Sequence, residues 1–261
     1  GIYTRSHIVT ELTVTGFDET DDTVTGTAQP YSEVVMDAGD GYDWEYVIVT
    51  ADDSGNWTVS FEYIDIAPGA YGSAMQYDLE ENSTVVYWDV PDPYLNVYPM
   101  GDYIYGYDWT PGLSVSAAVN GVYKNSGIPD QNGRVRIDLI EDLVPGQLIE
   151  LTDGEFTRSH IVQNLFVTNI DLAKDLVEGT ADPFSKVMIY TCDDNDCHWL
   201  YPVANSSGNW SSDFSTLVNI MPGSTGWAYR YDNEGNSTRV HWFAPNPTIV
   251  VYPRYGEIYG S

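Results

Sequence analysis

The stretch Ser54-Gly55-Asn56-Trp57-Thr58-Val59-Ser60-Phe61 joins a tight turn to a run in which Trp57, Val59 and Phe61 alternate with Thr58 and Ser60. Gly and Asn accept the backbone angles of a turn at little cost. Alternation with period two marks a strand with one buried face. The same pattern lies to either side. Leu12 and Val14 alternate with Thr13 and Thr15, and Val47 and Val49 alternate with Tyr46, Ile48 and Thr50. Turn chemistry separates these runs at 17–22, 51–56, 67–69 and 80–82.

Much of this stretch recurs. Ser54-Gly55-Asn56-Trp57 returns as Ser207-Gly208-Asn209-Trp210, and Thr4-Arg5-Ser6-His7-Ile8-Val9 as Thr157-Arg158-Ser159-His160-Ile161-Val162, both at an offset of 153. Asn82-Ser83-Thr84 returns as Asn236-Ser237-Thr238, and Val97-Tyr98-Pro99 as Val251-Tyr252-Pro253, at 154. A period this long exceeds one solenoid unit and suits a pair of small domains, A then B. The expected fold class is all-β, with tandem immunoglobulin-like β-sandwich domains in a rod-like array. Module A1 is expected over 8–92, B over 93–160 and A2 over 161–246. Residues 1–7 read as the last-strand segment of a preceding B-type module, and 247–261 as the first-strand segment of a following one. Module B, with runs at 103–105, 113–115, 135–139 and 148–151, is expected to be small, to have few strands and to lean on A. Prolines at 91, 93, 245 and 247 stiffen the links. The phasing implies either a piece of a longer array or ends that complete a module between neighbouring molecules.

Composition narrows the function. Acidic residues outnumber basic ones 39 to 10, for a net charge of −29, which excludes the basic footprint of nucleic-acid binding and disfavours anionic membranes. Such a surface suits high solubility, high salt or divalent counter-cations. No run of apolar residues is long enough to insert in a membrane, and no leader is visible at Gly1, as expected of a mature or excised chain. Cys192 and Cys197 are the only cysteines. A small disulfide clip is expected, which requires an oxidising compartment; the alternative is a pair of reduced thiols.

The run Val24-Thr25-Gly26-Thr27-Ala28, with Pro30, Ser54-Gly55-Asn56-Trp57-Thr58, Pro68-Gly69 and Glu81-Asn82-Ser83, resembles bacterial Ig-like repeat modules of large secreted surface and adhesin-type proteins. The A–B alternation, with B opening at Tyr105-Gly106-Tyr107-Asp108-Trp109-Thr110-Pro111-Gly112, is similar to tandem repeats of filamentous bacteria such as Chloroflexota. The resemblance implies an extracellular or cell-surface location and no enzymatic activity. The Pro-Gly usual in such modules is here Pro30-Tyr31 and Pro183-Phe184, which is expected to change the turn and place a ring on it.

Candidate sites follow. Neighbouring Ser6-His7 and Ser159-His160 point to opposite faces of a strand, so neither is a nucleophile–base pair, and the histidines read as strand-surface residues. Asp37, Asp40, Asp43 and Glu45 read as one hairpin loop, with Asp193, Asp194 and Asp196 in its counterpart. Oxygen-rich loops of this kind hold Ca2+ or simply stay solvated. No cofactor is required. Asn56, Asn82, Asn205, Asn209 and Asn236 head glycosylation sequons, and the same residues also suit turns. Tyr94, Tyr98, Tyr103, Tyr105 and Tyr107 form either a glycan or partner surface or packing between modules. Tyr3, Arg5, His7, Val9, Val251, Tyr252, Ile258 and Tyr259 are candidate inter-subunit strand residues. The expected role is a cell-surface filament or stalk whose partners are copies of itself or neighbouring repeats. Alternatives are an adhesin or glycan-binding module, or the accessory region of a secreted hydrolase.

Overall fold

The structure is a computed structural model and describes residues 5–192, 196–247 and 249–260. Among them the single helical element is a 3-10 turn at Pro99–Gly101; the rest is strand, turn and loop. The chain divides into two compact units between Asp92 and Pro93.

The first unit carries β1 (Thr13–Asp18), β2 (Thr23–Thr27), β3 (Glu33–Gly39), β4 (Trp44–Thr50), β5 (Asn56–Ser60), β6 (Tyr71–Tyr77) and β7 (Ser83–Asp89). They form two antiparallel sheets, β1-β2-β5 and β4-β3-β6-β7. The alternation read from the sequence is the burial pattern observed: Trp57 and Val59 of β5 point inward, and Thr58 and Ser60 outward. The inner faces meet in one core that includes Val24, Val34, Met36, Trp57, Ile64 and Ile66. Burying each such side chain contributes about 1.5–3 kcal/mol, which offsets the entropy of ordering short strands. Gly26 and Gly72 pair across their sheets with Trp57 and Trp88, which leaves room for each indole to lie over the neighbouring strand.

The second unit opens with β8 (Tyr94–Tyr98), β9 (Tyr103–Tyr107), β10 (Val115–Val119), β11 (Val122–Gly127), β12 (Val135–Asp138), β13 (Leu148–Thr152) and β14 (Thr157–Ile161). Seven strands stand where the sequence suggested few. β11 is exposed or half-exposed along its whole length, so it carries no apolar alternation to read. These strands enclose a core containing Leu95, Val97, Ile104, Trp109, Ile149 and Val162.

A second sandwich follows in the same unit, with β15 (Leu165–Asp171), β16 (Leu176–Ala181), β17 (Met188–Cys192), β18 (Cys197–Leu200), β19 (Asn209–Asp213), β20 (Thr225–Tyr231) and β21 (Ser237–Phe243). It repeats the arrangement of the first unit: β15-β16-β19 make one sheet, and β18-β17-β20-β21 belong to the other. Its core includes Val177, Ile189, Trp210, Phe214, Ile220 and Trp242. A hairpin of β22 (Ile249–Tyr252) and β23 (Glu257–Gly260) closes the described chain.

The sandwiches of the second unit are joined by backbone hydrogen bonding. β8 lies parallel to the start of β21, with Asn96 beside Ser237 and Val97 beside Thr238. One continuous seven-stranded sheet results, in the order β12-β9-β8-β21-β20-β17-β18.

Candidate functional site

The β8–β21 contact is the most elaborate polar site in the second unit, and its side chains explain the parallel pairing. Asn236 Oδ1 accepts the Leu95 N–H at 3.0 Å, and Asn236 Nδ2 donates to the Ser159 carbonyl and to Asp232, each at 3.2 Å. The Ser237 hydroxyl donates to Asn96 Oδ1 at 2.6 Å and accepts from Arg239 Nε at 2.9 Å. Arg158 Nε donates to the Pro93 carbonyl at 2.6 Å, tying the end of this sandwich to its beginning. Asn96, Asn236, Ser237 and Thr238 are each exposed by 1% or less. A buried network of this kind resists opening, because each separated group would lose a partner away from water.

His160 sits at the centre of the site. It was expected on a strand surface, and it is 2% exposed. Its Nδ1 lies 2.7 Å from Asp232 Oδ2 and its Nε2 2.9 Å from the Thr238 hydroxyl, which also accepts the Gln163 N–H at 2.8 Å. A neutral ring satisfies every group: Nδ1–H donates to Asp232, and the Thr238 O–H donates to Nε2. Burial pushes the His160 pKa down, opposed by the hydrogen bond to Asp232. The first unit repeats the cluster, with His7 2.8 Å from Asp78 and 3.0 Å from Thr84, whose hydroxyl accepts the Thr10 N–H at 3.1 Å. Hydrogen bonds from Asn82, then from His7, hold the Asp78 carboxyl well below the usual range. A hydroxyl, an imidazole and a carboxylate in a row suggest acyl-transfer chemistry, but Thr238 has zero exposure and cannot meet a substrate. The arrangement instead fixes the chain entering each sandwich to the β6–β7 or β20–β21 turn beside it. Sequence reasoning weighed each His only against its neighbouring Ser, rejected that pair, and missed Asp78, Thr84, Asp232 and Thr238. The available signal was the recurrence of the whole run from Asp78 to Thr84 as Asp232 to Thr238.

Cys192 and Cys197 form a disulfide that closes the β17–β18 hairpin, in which they are paired across the strands. The loop is short, with a sequence separation of 5, so closing it stabilises by only about 2 kcal/mol. Replacing both cysteines by Ser is expected to lower the unfolding free energy of the second unit by about 1–2 kcal/mol. Dithiothreitol should give the same shift to the native chain in urea titrations.

The acidic residues do not converge. Asp37 lies inside β3 rather than in a loop, and its carboxylate accepts the Ser73 N–H and O–H, both at 2.7 Å. Glu45 lies inside β4 and accepts the N–H groups of Glu62 and Tyr63 at 2.9 and 2.8 Å. Asp40 folds back on the N–H groups of Tyr42 and Asp43, and the Asp43 N–H, then that of Tyr42, hold its pKa down. Asp43 is exposed, and Asp196 accepts the Cys197 N–H at 2.7 Å. No group of three His, Cys, Asp or Glu placed to hold a metal occurs among the described residues. Asp193 and Asp194 lie outside them.

Among the sequons, Asn56, Asn205 and Asn209 are exposed and Asn82 is half-buried. Asn236 is fully buried and both its amide atoms are engaged in the junction, so the folded chain has no space for a glycan there. Tyr31 and Phe184 take left-handed angles, φ 60° and 63°, the region that favours glycine. The rings are 72% and 73% exposed, and a bulky residue in that conformation costs about 1 kcal/mol. Of the candidate strand residues, Arg5, His7 and Val9 lie in a segment outside any strand, and Val251 and Tyr252 lie in β22. Ile258 and Tyr259 belong to β23, whose side chains are outside the described part, as is all of Tyr3.

The tyrosines of β8 and β9 pack on one another. Tyr94 stacks on Tyr107 at 5.0 Å and Tyr98 on Tyr103 at 4.5 Å, while Tyr98 meets Trp227 of β20 edge-on at 5.4 Å across the junction. Arg134 lies 4.4 Å from the Tyr105 ring and Arg136 4.0 Å from that of Tyr103. Burial pushes the Tyr98 phenol up to about 12. Through Tyr98 the cluster packs against the next sandwich, while Tyr94, Tyr103, Tyr105 and Tyr107 pack on one another and on the guanidinium groups.

No protein-family model matches the sequence, and no curated protein sequence is significantly similar to it. Among solved structures, the chain aligns with a tetra-tandem repeat in the extending region of a large adhesion protein at 15% identity and TM-score 0.24, covering 91% of this chain and 74% of that one. It aligns with a Ca2+-stabilized adhesin from an Antarctic bacterium at 15% identity and TM-score 0.26, covering 92% and 74%. A biofilm associated protein BSP domain aligns at 7% identity and TM-score 0.26, covering 92% and 66%. Superpositions this loose carry no argument about function.

Proposed function

We propose that the chain is an extracellular, non-catalytic segment of a cell-surface filament or stalk built from immunoglobulin-like sandwiches, whose partners are further modules of the same kind. The β8–β21 pairing carries this reading. A junction made of sheet ladder and buried side chains transmits force from one sandwich to the next, where a flexible linker would not. The repeated strand order, three strands facing four, suits the immunoglobulin-like assignment. The disulfide suits an oxidising location. Exposed Asn56, Asn205 and Asn209 remain available for glycans there. Immunogold electron microscopy of native cells with antibodies to this chain is expected to label surface fibres periodically. Labelling confined to the cell interior, or to dispersed particles, would overturn the proposal.

An adhesive reading rests on a different observation. The outer face of the β4-β3-β6-β7 sheet exposes Trp44, Tyr46, Tyr71 and Tyr87, with Trp44 and Tyr71 5.7 Å apart. Rings held in this way stack on sugars. A glycan array probed with the whole chain tests it; the absence of any hit would remove the reading.

A further inference from the structure

The second unit contains the template of a contact whose edge in the first unit, β7, has no further strand beside it among the described residues. β7 repeats β21 at an offset of 154, and β22–β23 repeat β8–β9 at the same offset. β8 covers the edge of β21; β7 is the last strand of its sheet. The apolar residues on both sides are exposed where their counterparts are not. Ile249 and Val251 are 73% and 55% exposed, whereas Leu95 and Val97 are at 0%. Val9 is 77% exposed, whereas Val162 is at 1%, in one core cluster with Leu95 and Val97. Counterparts of three residues of that core are therefore exposed on separate parts of the chain.

The polar residues at the contact differ in concert. In the second unit Ser237 bonds both Asn96 and Arg239. At the equivalent positions Ser83 is kept, Asn96 becomes Val250 and Arg239 becomes Val85. Two hydrogen-bonding partners on opposite sides of one contact are both replaced by Val. The Ser83 hydroxyl, equivalent to the one that bonds both Asn96 and Arg239, remains, while two polar neighbours are exchanged for apolar ones.

We propose that the β22–β23 hairpin of one copy docks in parallel on the β7 edge of a second copy, with Val250 beside Ser83 and Val251 beside Thr84. Asn82 Oδ1 accepts the Ile249 N–H, as Asn236 does for Leu95. Ile249 and Val251 bury Val9, and Tyr252 reaches Val85 where Tyr98 reaches Arg239. This inference rests on the filament reading and supplies its joint.

The test mixes two single variants of the full chain, Ser83→Cys and Val250→Cys, under mild oxidation. A disulfide-linked dimer is expected in the mixture and not in either variant alone. Dimers of one variant alone, no dimer at all, or closure of the double variant within one chain would each overturn the proposal. Independently, Val251→Asp should weaken self-association of the wild-type chain in sedimentation by roughly tenfold or more while leaving its melting temperature unchanged. Unchanged association in Val251→Asp would sink the joint. Periodic labelling of surface fibres alongside a failed cross-link would leave the filament reading standing and remove only this contact.

Discussion

Replacing His160 by Ala is expected to destabilise the second unit by about 3 kcal/mol, while His7→Ala costs the first unit under about 1 kcal/mol. The clusters share their chemistry and differ in burial. His160 has a side chain 1% exposed, so its removal strands the Thr238 hydroxyl and one side of Asp232 beside a cavity that water reaches poorly. The His7 and Asp78 side chains are 20% and 32% exposed, and water can replace the lost ring. Hydrogen exchange resolved by unit measures both changes in one sample. Equal effects on the two units would show that the cluster adds nothing to the junction. The buried ring also fixes a pH dependence. Burial lowers the folded pKa of His160, so the unfolded chain takes up its proton first, near 6.5. The contribution of His160 is complete above that pH and is lost as pH falls from there through the depressed folded value. His160→Gln, which cannot titrate, is expected to flatten the stability curve of the second unit over that window.

These residues also show how far the sequence could be read. The sandwiches repeated at an offset of 153 were legible because half-buried strands announce themselves: Trp57 and Val59 face inward between exposed Thr58 and Ser60. β11 was illegible, because Val122, Tyr123 and Ser126 on an exposed edge carry no alternation. The continuity of the sheet from β8 to β21 could not be read, since parallel pairing joins residues 141 positions apart, Asn96 and Ser237, that share no local pattern. Recurrence of Asn82-Ser83-Thr84 as Asn236-Ser237-Thr238 was visible, but the triplet has the form of a sequon, and only burial shows Asn236 to be a structural clasp. The acidic loops misled for a related reason. Carboxylates close in sequence were assumed to share a site, yet Asp37 sits on a strand and is held by Ser73.

Gly226→Ala is expected to cost the second unit about 3 kcal/mol or more, the same range as His160→Ala, by adding one methyl group. Gly226 lies on β20 between β17 and β21, with Tyr190 of β17 contributing its carbonyl oxygen on one side and Trp242 of β21 its ring on the other. A Cβ there would stand 2.1 Å from the Tyr190 oxygen and 2.5 Å from Trp242 Cζ2. β20 is paired on both sides and cannot move away without opening a ladder. Gly112→Ala is the matched control. Its φ of +83° is unfavourable for Ala, but nothing lies within 4 Å of the new carbon, so only about 1 kcal/mol of backbone strain is expected. Thermal unfolding of the two variants separates close packing from backbone strain. Adding Trp242→Leu to Gly226→Ala should cost less than the sum of the single changes, because the ring clash disappears while the carbonyl clash remains. Strict additivity would mean that the indole does not lie on the glycine. The same geometry recurs at Gly26 with Trp57, Gly72 with Trp88 and Gly179 with Trp210. Both sheets of each repeated sandwich therefore anchor a Trp on a strand that must carry Gly, and a sandwich that lost one such pairing would lose stability as a whole.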